Sequence, residues 1–248
     1  MRLIALAYGG VCYALFFASF LYLIAFVGGD MIPVIHAPRT LDWGDGTVAA
    51  PYGAIVNIGL LLLFGLQHSI MARQGFKRAL ANIVGPAERS TFVLATTAVL
   101  VLLYLYWTPI PALVWEVSDP IWATVLTIGF FAGFGLVLVS TFLIDHFELF
   151  GLSQVWRHFT NKASPELSFK TPLFYKGVRH PLYLGFIIAF WSTPIMTAGH
   201  LLFAAIWTAY IFVAIGYEER DLARLFGDQY RQYMARVPMI LPFGRGRD

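Results

Sequence analysis

The sequence predicts an all-α protein, a polytopic transmembrane helical bundle of about six membrane helices with a C-terminal amphipathic helix. Three observations predict this fold. Hydrophobic residues make up 58% of the 248-residue chain. Charged residues make up 12%, against about 25% in a typical soluble domain. The apolar residues form long runs, and the basic residues are concentrated in alternate connecting segments, as in multi-pass membrane proteins.

The apolar runs have the length of membrane helices, which need about 20 apolar residues to cross a hydrocarbon core of about 30 Å. The candidate helices are 3–28, 53–72, 89–108, 119–144, 181–196 and 199–217. The first is long for a signal peptide and has no clear cleavage site after it, so we expect it to be retained. The fifth is short and contains Pro194. Only Thr197-Ala198-Gly199 separate it from the sixth, so these two should form a tight hairpin.

Charge placement predicts the orientation of these helices. Of the 17 lysines and arginines, only Arg39 lies in loops 29–52 and 109–118. Basic residues favour the cytoplasmic side of a membrane, so both termini should be cytoplasmic, in a bacterial-type inner membrane. We expect one integral-membrane domain, 1–248. Its parts are a four-helix core (1–144) and a region with a cytoplasmic loop, the hairpin and the tail (145–248).

Two polar clusters flank the predicted hairpin. Arg179-His180-Pro181 begins its first helix, where proline suits the first turn and free N–H groups favour an anion. Tyr217-Glu218-Glu219 ends its second helix, where two carboxylates oppose the helix dipole and favour a cationic partner. Tyr183 and Gly185 lie within about a turn of Pro181, and glycine allows close approach to the backbone. Alternatively, the basic pair only anchors the helix among head groups and the carboxylates begin a solvated tail.

Two more polar groups lie beside apolar runs and should approach the same membrane face. Gln67-His68-Ser69 ends the second helix, and Asp145-His146-Phe147-Glu148 follows the fourth. Ionisable residues near membrane depth are functional candidates by default, although a lone histidine is often a hydrogen-bonded core residue. Metal-ligand motifs and a GxGxxG nucleotide motif do not occur in the sequence, so we expect no metal site and no Rossmann domain.

The segment from Gly177 to Pro242 resembles the C-terminal region of the isoprenylcysteine carboxyl methyltransferase and phospholipid methyltransferase superfamily. The matching residues are Arg179-His180-Pro181-x-Tyr183-x-Gly185, Glu218-Glu219-x-x-Leu222, Phe226-Gly227, Tyr230, Tyr233 and Pro238. A narrower resemblance covers nearly the whole chain and is to the branch that includes the methanethiol S-methyltransferases and the NnrU-like membrane proteins. Its matching residues are Gln67-His68-Ser69-x-Met71-Ala72-Arg73, Asp145-His146-Phe147-Glu148-Leu149-Phe150-Gly151 and Gln154.

The resemblance implies a cytoplasmic pocket for S-adenosyl-L-methionine (S-adenosylmethionine). Its lining would be Arg179, His180, Tyr183, Gly185, Tyr217, Glu218 and Glu219. The carboxylates would suit the ammonium and sulfonium groups of this cofactor, and Arg179 would suit its carboxylate. The reaction implied is methylation of a small volatile thiol, methanethiol, to dimethyl sulfide.

A weakly acidic thiol should need a base. We nominate His146, oriented by Asp145 or Glu148, and His68 is the second candidate. Gln67, Ser69 and Phe147 should contact the acceptor. The expected partners are the thiol and the lipid bilayer, with no nucleic acid.

Three other functions fit part of the pattern. A related methyltransferase would act on a lipid head group or a prenylated cysteine. A sterol-type reductase would share the Arg-His-Pro-x-Tyr-x-Gly element and use NADPH. An NnrU-like membrane protein would have no enzymatic activity. The sequence does not predict the oligomeric state.

Overall fold

The structure is a computed structural model that describes residues 2–32, 37–43, 49–166 and 168–241. It is 77% helical. The helices are α1 (Arg2–Gly28), α2 (Ala50–Met71), α3 (Gln74–Val84), α4 (Glu88–Tyr106), α5 (Pro120–Ile144), α6 (His146–Leu149), α7 (Leu152–Thr160), α8 (Pro181–Trp191), α9 (Ala198–Phe226) and α10 (Asp228–Arg236). Two short strands, β1 (Leu113–Glu116) and β2 (Ile195–Thr197), form an antiparallel ribbon. Pro242, the end of the segment that carries the family resemblance, lies outside the described residues.

The helices confirm the all-α polytopic membrane fold. Five segments of the described chain are long and apolar enough to cross a membrane: Arg2–Met31, Ala50–Met71, Gln74–Tyr106, Pro120–Ile144 and Ala198–Phe226. Helix α8 has 11 residues, which is about 17 Å at 1.5 Å per residue. It stops five residues before the predicted end at 196, because Pro194 disfavours helical backbone at Thr193 and residues 195–197 enter β2.

Helix α9 is longer than predicted. The sequence pattern ended it at Tyr217-Glu218-Glu219, but it continues without a break to Phe226. The residues after Tyr217 are mostly good helix formers, and the first break is Gly227, whose φ is 58°. Glu218 and Glu219 therefore lie inside a helix, and the amphipathic tail is an extension of a membrane helix. The segment between the predicted second and third membrane helices contains a further helix, α3, which is amphipathic.

Contacts divide the chain into two compact units. The first comprises Met1–Glu116, Phe147–Pro165 and Ile195–Phe203. In it, α4 packs against α1 and α2, and α7 packs against α1. The fully buried Asn57 side chain of α2 donates to the Thr108 carbonyl (2.7 Å) and accepts from the Thr108 amide (2.9 Å), which fixes the chain just after α4.

The second unit comprises Val117–His146, Glu166–Pro194 and Ala204–Asp248. This grouping places α5 with α8 and most of α9, and the division at residues 144 and 145 remains a prediction. Helices α5 and α8 meet through glycines. A Cβ added to Gly185 would lie 2.7 Å from the Gly133 carbonyl oxygen, and one added to Gly129 would lie 2.9 Å from Ser192 Oγ.

Gly133 of α5 lies beside Gly185 of α8, whereas Gly129, which is earlier in α5, lies beside Ser192 at the end of α8. The two helices are therefore antiparallel. The C-terminal end of α5, followed by His146, is therefore at the same end of the pair as His180, which precedes α8.

Replacing Gly133 with alanine should lower the stability of the protein by about 1–3 kcal/mol, the usual cost of overpacking. The added methyl group would lie 2.6 Å from the Ala189 amide nitrogen, so the two helix backbones would have to separate. The matched control is Gly135→Ala in the same helix, where the added carbon meets nothing within 4 Å. Thermal unfolding in detergent should separate the two variants. Equal midpoints would mean that the glycine contact does not hold α5 to α8.

Candidate active site

Glu219 is the centre of the polar cluster at the end of the hairpin. Its Oε1 accepts hydrogen bonds from Arg179 Nε (2.7 Å) and His180 Nε2 (2.9 Å). The three side chains are largely buried, with exposed fractions of 11% for Arg179, 4% for His180 and 12% for Glu219. The two predicted clusters, separated by about 40 residues of chain, are thus joined by direct contact. The basic pair does not simply anchor a helix among lipid head groups.

Arg179 also holds the C-terminal tail in place. Its Nη1 donates to the carbonyl oxygens of Met234 (3.0 Å) and Val237 (2.5 Å). Its backbone amide donates to the Pro238 carbonyl at 2.9 Å. The neighbouring His180 amide donates to the Met239 carbonyl at 3.1 Å. Arg179 therefore crosslinks the start of α8, helix α9 and the end of α10 through a single guanidinium.

Glu218 is used differently from its neighbour. It is exposed, and its Oε2 accepts a hydrogen bond of 2.9 Å from the Tyr183 hydroxyl. Tyr217 is 43% exposed and its ring lies under the Arg220 guanidinium, 5.6 Å away. Gly185 faces α5 rather than the carboxylates. The cofactor roles expected of Tyr217 and Gly185 therefore remain predictions.

Three tyrosines, Tyr175, Tyr230 and Tyr233, lie near these carboxylates. Burial, and then the negative charges of Glu219 and Glu218, raise the pKa of Tyr230. Burial raises the pKa of Tyr233 to about 12 and, with the charge of Glu218, raises the pKa of Tyr175. All three are therefore neutral hydrogen-bond donors near pH 7. Tyr233 donates to the Tyr175 carbonyl (2.5 Å), whereas the buried hydroxyls of Tyr175 and Tyr230 have no partner within the described part of the chain.

His146 is buried, with 3% of its surface exposed, and Thr141 sets its tautomer. The Thr141 hydroxyl donates to the Leu138 carbonyl at 2.6 Å, so its oxygen must accept the 2.8 Å bond from His146 Nδ1. The proton of the neutral ring is then on Nδ1 and the lone pair is on Nε2. Burial lowers the pKa of His146, and the negative charge of Asp145 opposes this shift. The lowered pKa keeps the His146 ring neutral at pH 7.

Glu148 is held by side chains of the first unit. Its carboxylate accepts two hydrogen bonds from Arg157, of 2.6 and 2.9 Å, and one of 3.1 Å from Gln154. The partner that orients His146 in the structure is Thr141, a residue that the sequence did not indicate. The orienting roles expected of Asp145 and Glu148 remain predictions.

The predicted acceptor group ends α2 in the first unit. His68 Nδ1 lies 3.4 Å from Thr96 Oγ1, and its ring stacks on Phe64. Gln67 Nε2 contacts Met71 Sδ at 3.0 Å, while Phe147 is 48% exposed. The roles of these residues, and of Ser69, as a reserve base or acceptor contacts remain predictions. Within the described ranges, no group of three His, Cys, Asp or Glu side chains could hold a metal ion.

Comparison with known proteins reveals close relatives over almost the whole chain. Methanethiol S-methyltransferase 1 of Bradyrhizobium diazoefficiens is 52% identical over 245 residues, 98% of this chain and 84% of that protein. Methanethiol S-methyltransferase of Mycobacterium tuberculosis is 48% identical over 98% of this chain and 97% of that protein. The enzyme of that name from Crocosphaera subtropica is 42% identical over 98% and 93%. The chain belongs to the methanethiol S-methyltransferase family.

This membership confirms the family resemblance and identifies the chain as a methyltransferase. As a member of the methanethiol S-methyltransferase family, it uses a methyl donor. No protein-family model and no solved structure matches the chain. The family assignment therefore comes from identity to named enzymes over almost the whole chain.

Proposed function

We propose that this membrane protein transfers a methyl group from S-adenosylmethionine to methanethiol and releases dimethyl sulfide. The observation that carries this proposal is the 52% identity to a methanethiol S-methyltransferase over 98% of the chain. We further propose that the reaction takes place at the cytoplasmic face of an inner membrane. The excess of basic residues in alternate connecting segments supports this orientation.

The residues of the second unit fit a cationic methyl donor. Arg179 neutralises Glu219 inside the cluster, whereas Glu218 is exposed and accepts only a neutral hydroxyl among the bonds described above. Glu218 is therefore the residue we assign to the ammonium or sulfonium group. The buried hydroxyls of Tyr175 and Tyr230 supply donors beside it. In this proposal Arg179 and His180 build the wall of the site, and the role of Arg179 as a partner for the cofactor carboxylate is secondary.

His146 is the base we assign to the reaction. When bound, S-adenosylmethionine supplies a methyl group on a positively charged sulfur. His146 Nε2 would accept the thiol proton as the thiol sulfur bonds to the methyl carbon, and the electron pair of the broken carbon–sulfur bond would stay with the donor. Burial lowers the pKa of His146, which keeps it neutral at pH 7 and ready to accept a proton. Its position at the same end of the α5–α8 pair as His180 supports a shared site.

The direct test of this function is headspace gas chromatography of the purified protein with S-adenosylmethionine and methanethiol. We expect dimethyl sulfide to accumulate in proportion to protein and only when both substrates are present. Parallel reactions with a lipid extract and with a prenylated cysteine test the other acceptors. Methylation of either of these, with no dimethyl sulfide, would contradict the proposed substrate.

Replacing Glu218 with glutamine should weaken S-adenosylmethionine binding roughly tenfold, because a hydrogen bond to a charged group contributes about 1.5–3 kcal/mol and exposure reduces this. Isothermal titration calorimetry measures the affinity. The matched control is Asp221→Asn, one turn further along α9, where the carboxylate pairs with Arg224. The control should bind as the wild type does. Equal affinities for wild type and the Glu218 variant would remove Glu218 from the cofactor site.

A further inference from the structure

The first unit contains a basic cavity that the proposed reaction does not use. It has a volume of about 330 Å³ and lies between the end of α3, the 3₁₀ turn Gly85–Ala87 and helix α7. Its charged and polar lining consists chiefly of Glu88, Arg89, Gln154, Arg157, His158 and Lys162. Its size falls at the lower end of the range for small-ligand sites, and its cationic side chains favour an anionic ligand.

The two arginines in this lining are held in fixed orientations. Arg157 makes its bidentate contact with Glu148. Arg89 Nε donates to the Leu149 carbonyl at 2.7 Å, and its guanidinium lies 4.9 Å from the Phe92 ring centroid. Glu148 offsets the charge of Arg157, and Glu88 is an acidic side chain on the lining itself. Arg89, Arg157 and Lys162 outnumber these two carboxylates, so a net positive charge remains at the lining.

The helices beside the cavity have the character of membrane-interface helices. Helix α3 carries Arg78 and Lys77 and exposes Phe76 (39%) and Ile83 (82%). Helix α7 carries Arg157 and exposes Trp156 (52%) and Phe159 (39%). Short helices with a basic face and exposed aromatic or aliphatic residues lie in the plane of the membrane interface, where tryptophan is also enriched. These features favour a position for the cavity at the depth of lipid head groups.

We propose that this cavity binds the phosphate of a membrane phospholipid head group. Arginine is well suited to phosphate recognition, and basic pockets beside membrane helices are typical sites for anionic head groups. The exposed apolar residues of α3 and α7 can contact acyl chains, while the basic residues of the lining (Arg89, Arg157 and Lys162) contact the phosphate. This site is independent of the proposed methyl transfer, because neither the donor cluster nor His146 lines it.

The test is a titration of the delipidated protein, in nonionic detergent, with dioleoylphosphatidylglycerol, followed by native mass spectrometry. We expect one molecule of this phospholipid to bind more tightly than any further molecules. Lys162→Gln should weaken this binding about fivefold, since one basic residue near a membrane surface contributes about 1 kcal/mol. Arg78→Gln is the matched control, because Arg78 is a basic residue of the neighbouring helix that does not line the cavity. The control should leave the affinity unchanged.

Soluble glycerol phosphate and inorganic phosphate form the second arm of the experiment. We expect neither to bind at millimolar concentration, because they lack the acyl chains that contact α3 and α7. Equal losses in both variants would indicate general attraction to a basic surface and would overturn the proposal, as would no loss in Lys162→Gln. Binding of a soluble phosphate as tightly as the lipid, with the same dependence on Lys162, would overturn the lipid as the ligand.

Discussion

Replacing His146 with glutamine is expected to lower kcat for methyl transfer by about 10²–10⁴-fold, the usual contribution of a positioned general base. Glutamine keeps much of the side-chain volume but cannot take the thiol proton. Because burial lowers the pKa of His146, the wild-type enzyme should keep its activity as the pH falls to 6.5, the ordinary imidazole value, and lose it only below that. The variant should lack this acid limb. Initial rates of dimethyl sulfide formation between pH 5 and 8 measure both effects.

Thr141→Val is the companion to this variant. It removes the oxygen that accepts the His146 Nδ1 proton, so the ring should lose its preferred tautomer while its nitrogens remain. We expect a smaller loss of kcat than in His146→Gln, with the acid limb retained. Cofactor binding should be unchanged in both proteins. A His146→Gln protein that binds S-adenosylmethionine and keeps full activity from neutral to acidic pH would rule out His146 as the base.

Replacing Glu219 with alanine is expected to destabilise the protein by about 3 kcal/mol, the lower end of the cost of breaking a buried ion pair. The change leaves the Arg179 guanidinium, only 11% exposed, without its carboxylate, and removes the partner of His180. For a chain of this length the unfolding midpoint should fall by about 6–12 °C. Cofactor binding should be lost as well, because the walls of the site depend on the same contacts. Thermal unfolding in detergent measures the change in stability.

Glu218→Ala is the control for this comparison, since it removes an adjacent carboxylate from the same helix. Glu218 is exposed and contacts the Tyr183 hydroxyl, so its removal should change the unfolding midpoint by less than about 2 °C, the scale of a surface change. It should still weaken cofactor binding. Equal unfolding midpoints for the two variants would contradict the division between a structural Glu219 and a ligand-binding Glu218.

The sequence predicted that the two clusters meet at one end of the hairpin, and the structure joins them through Glu219. Two antiparallel helices joined by a short turn have their outer ends on the same side. This brings Arg179-His180, before the first helix, close to Glu218-Glu219, at the end of the second. Glu218 and Glu219 have different partners because they are adjacent residues of an uninterrupted helix and point in different directions from it. The pattern placed a helix end at Tyr217, and the structure continues α9 to Phe226.

The sequence could not predict the contacts of individual side chains. Thr141 as the partner of His146 has no local signature, since a threonine near the end of an apolar helix usually bonds only to its own backbone. The carbonyls of Met234 and Val237 that hold Arg179 depend on the turn at Gly227, which redirects the chain into α10. Tyr230 and Tyr233 belonged to the matched pattern, and their spacing of three residues on a helix was the signal that could have placed both beside the carboxylates.

Photo-cross-linking of S-adenosylmethionine to the intact protein, followed by peptide mapping, locates the methyl-donor site. The donor site should yield cross-links in peptides that contain Tyr175–Tyr183 or Tyr217–Tyr233, and excess unlabelled cofactor should abolish them. Glu218→Gln should reduce the yield, whereas Asp221→Asn should not. Specific cross-links confined to other segments, with these peptides unmodified, would contradict the assignment of the Arg179, His180 and Glu219 cluster as the wall of the methyl-donor site.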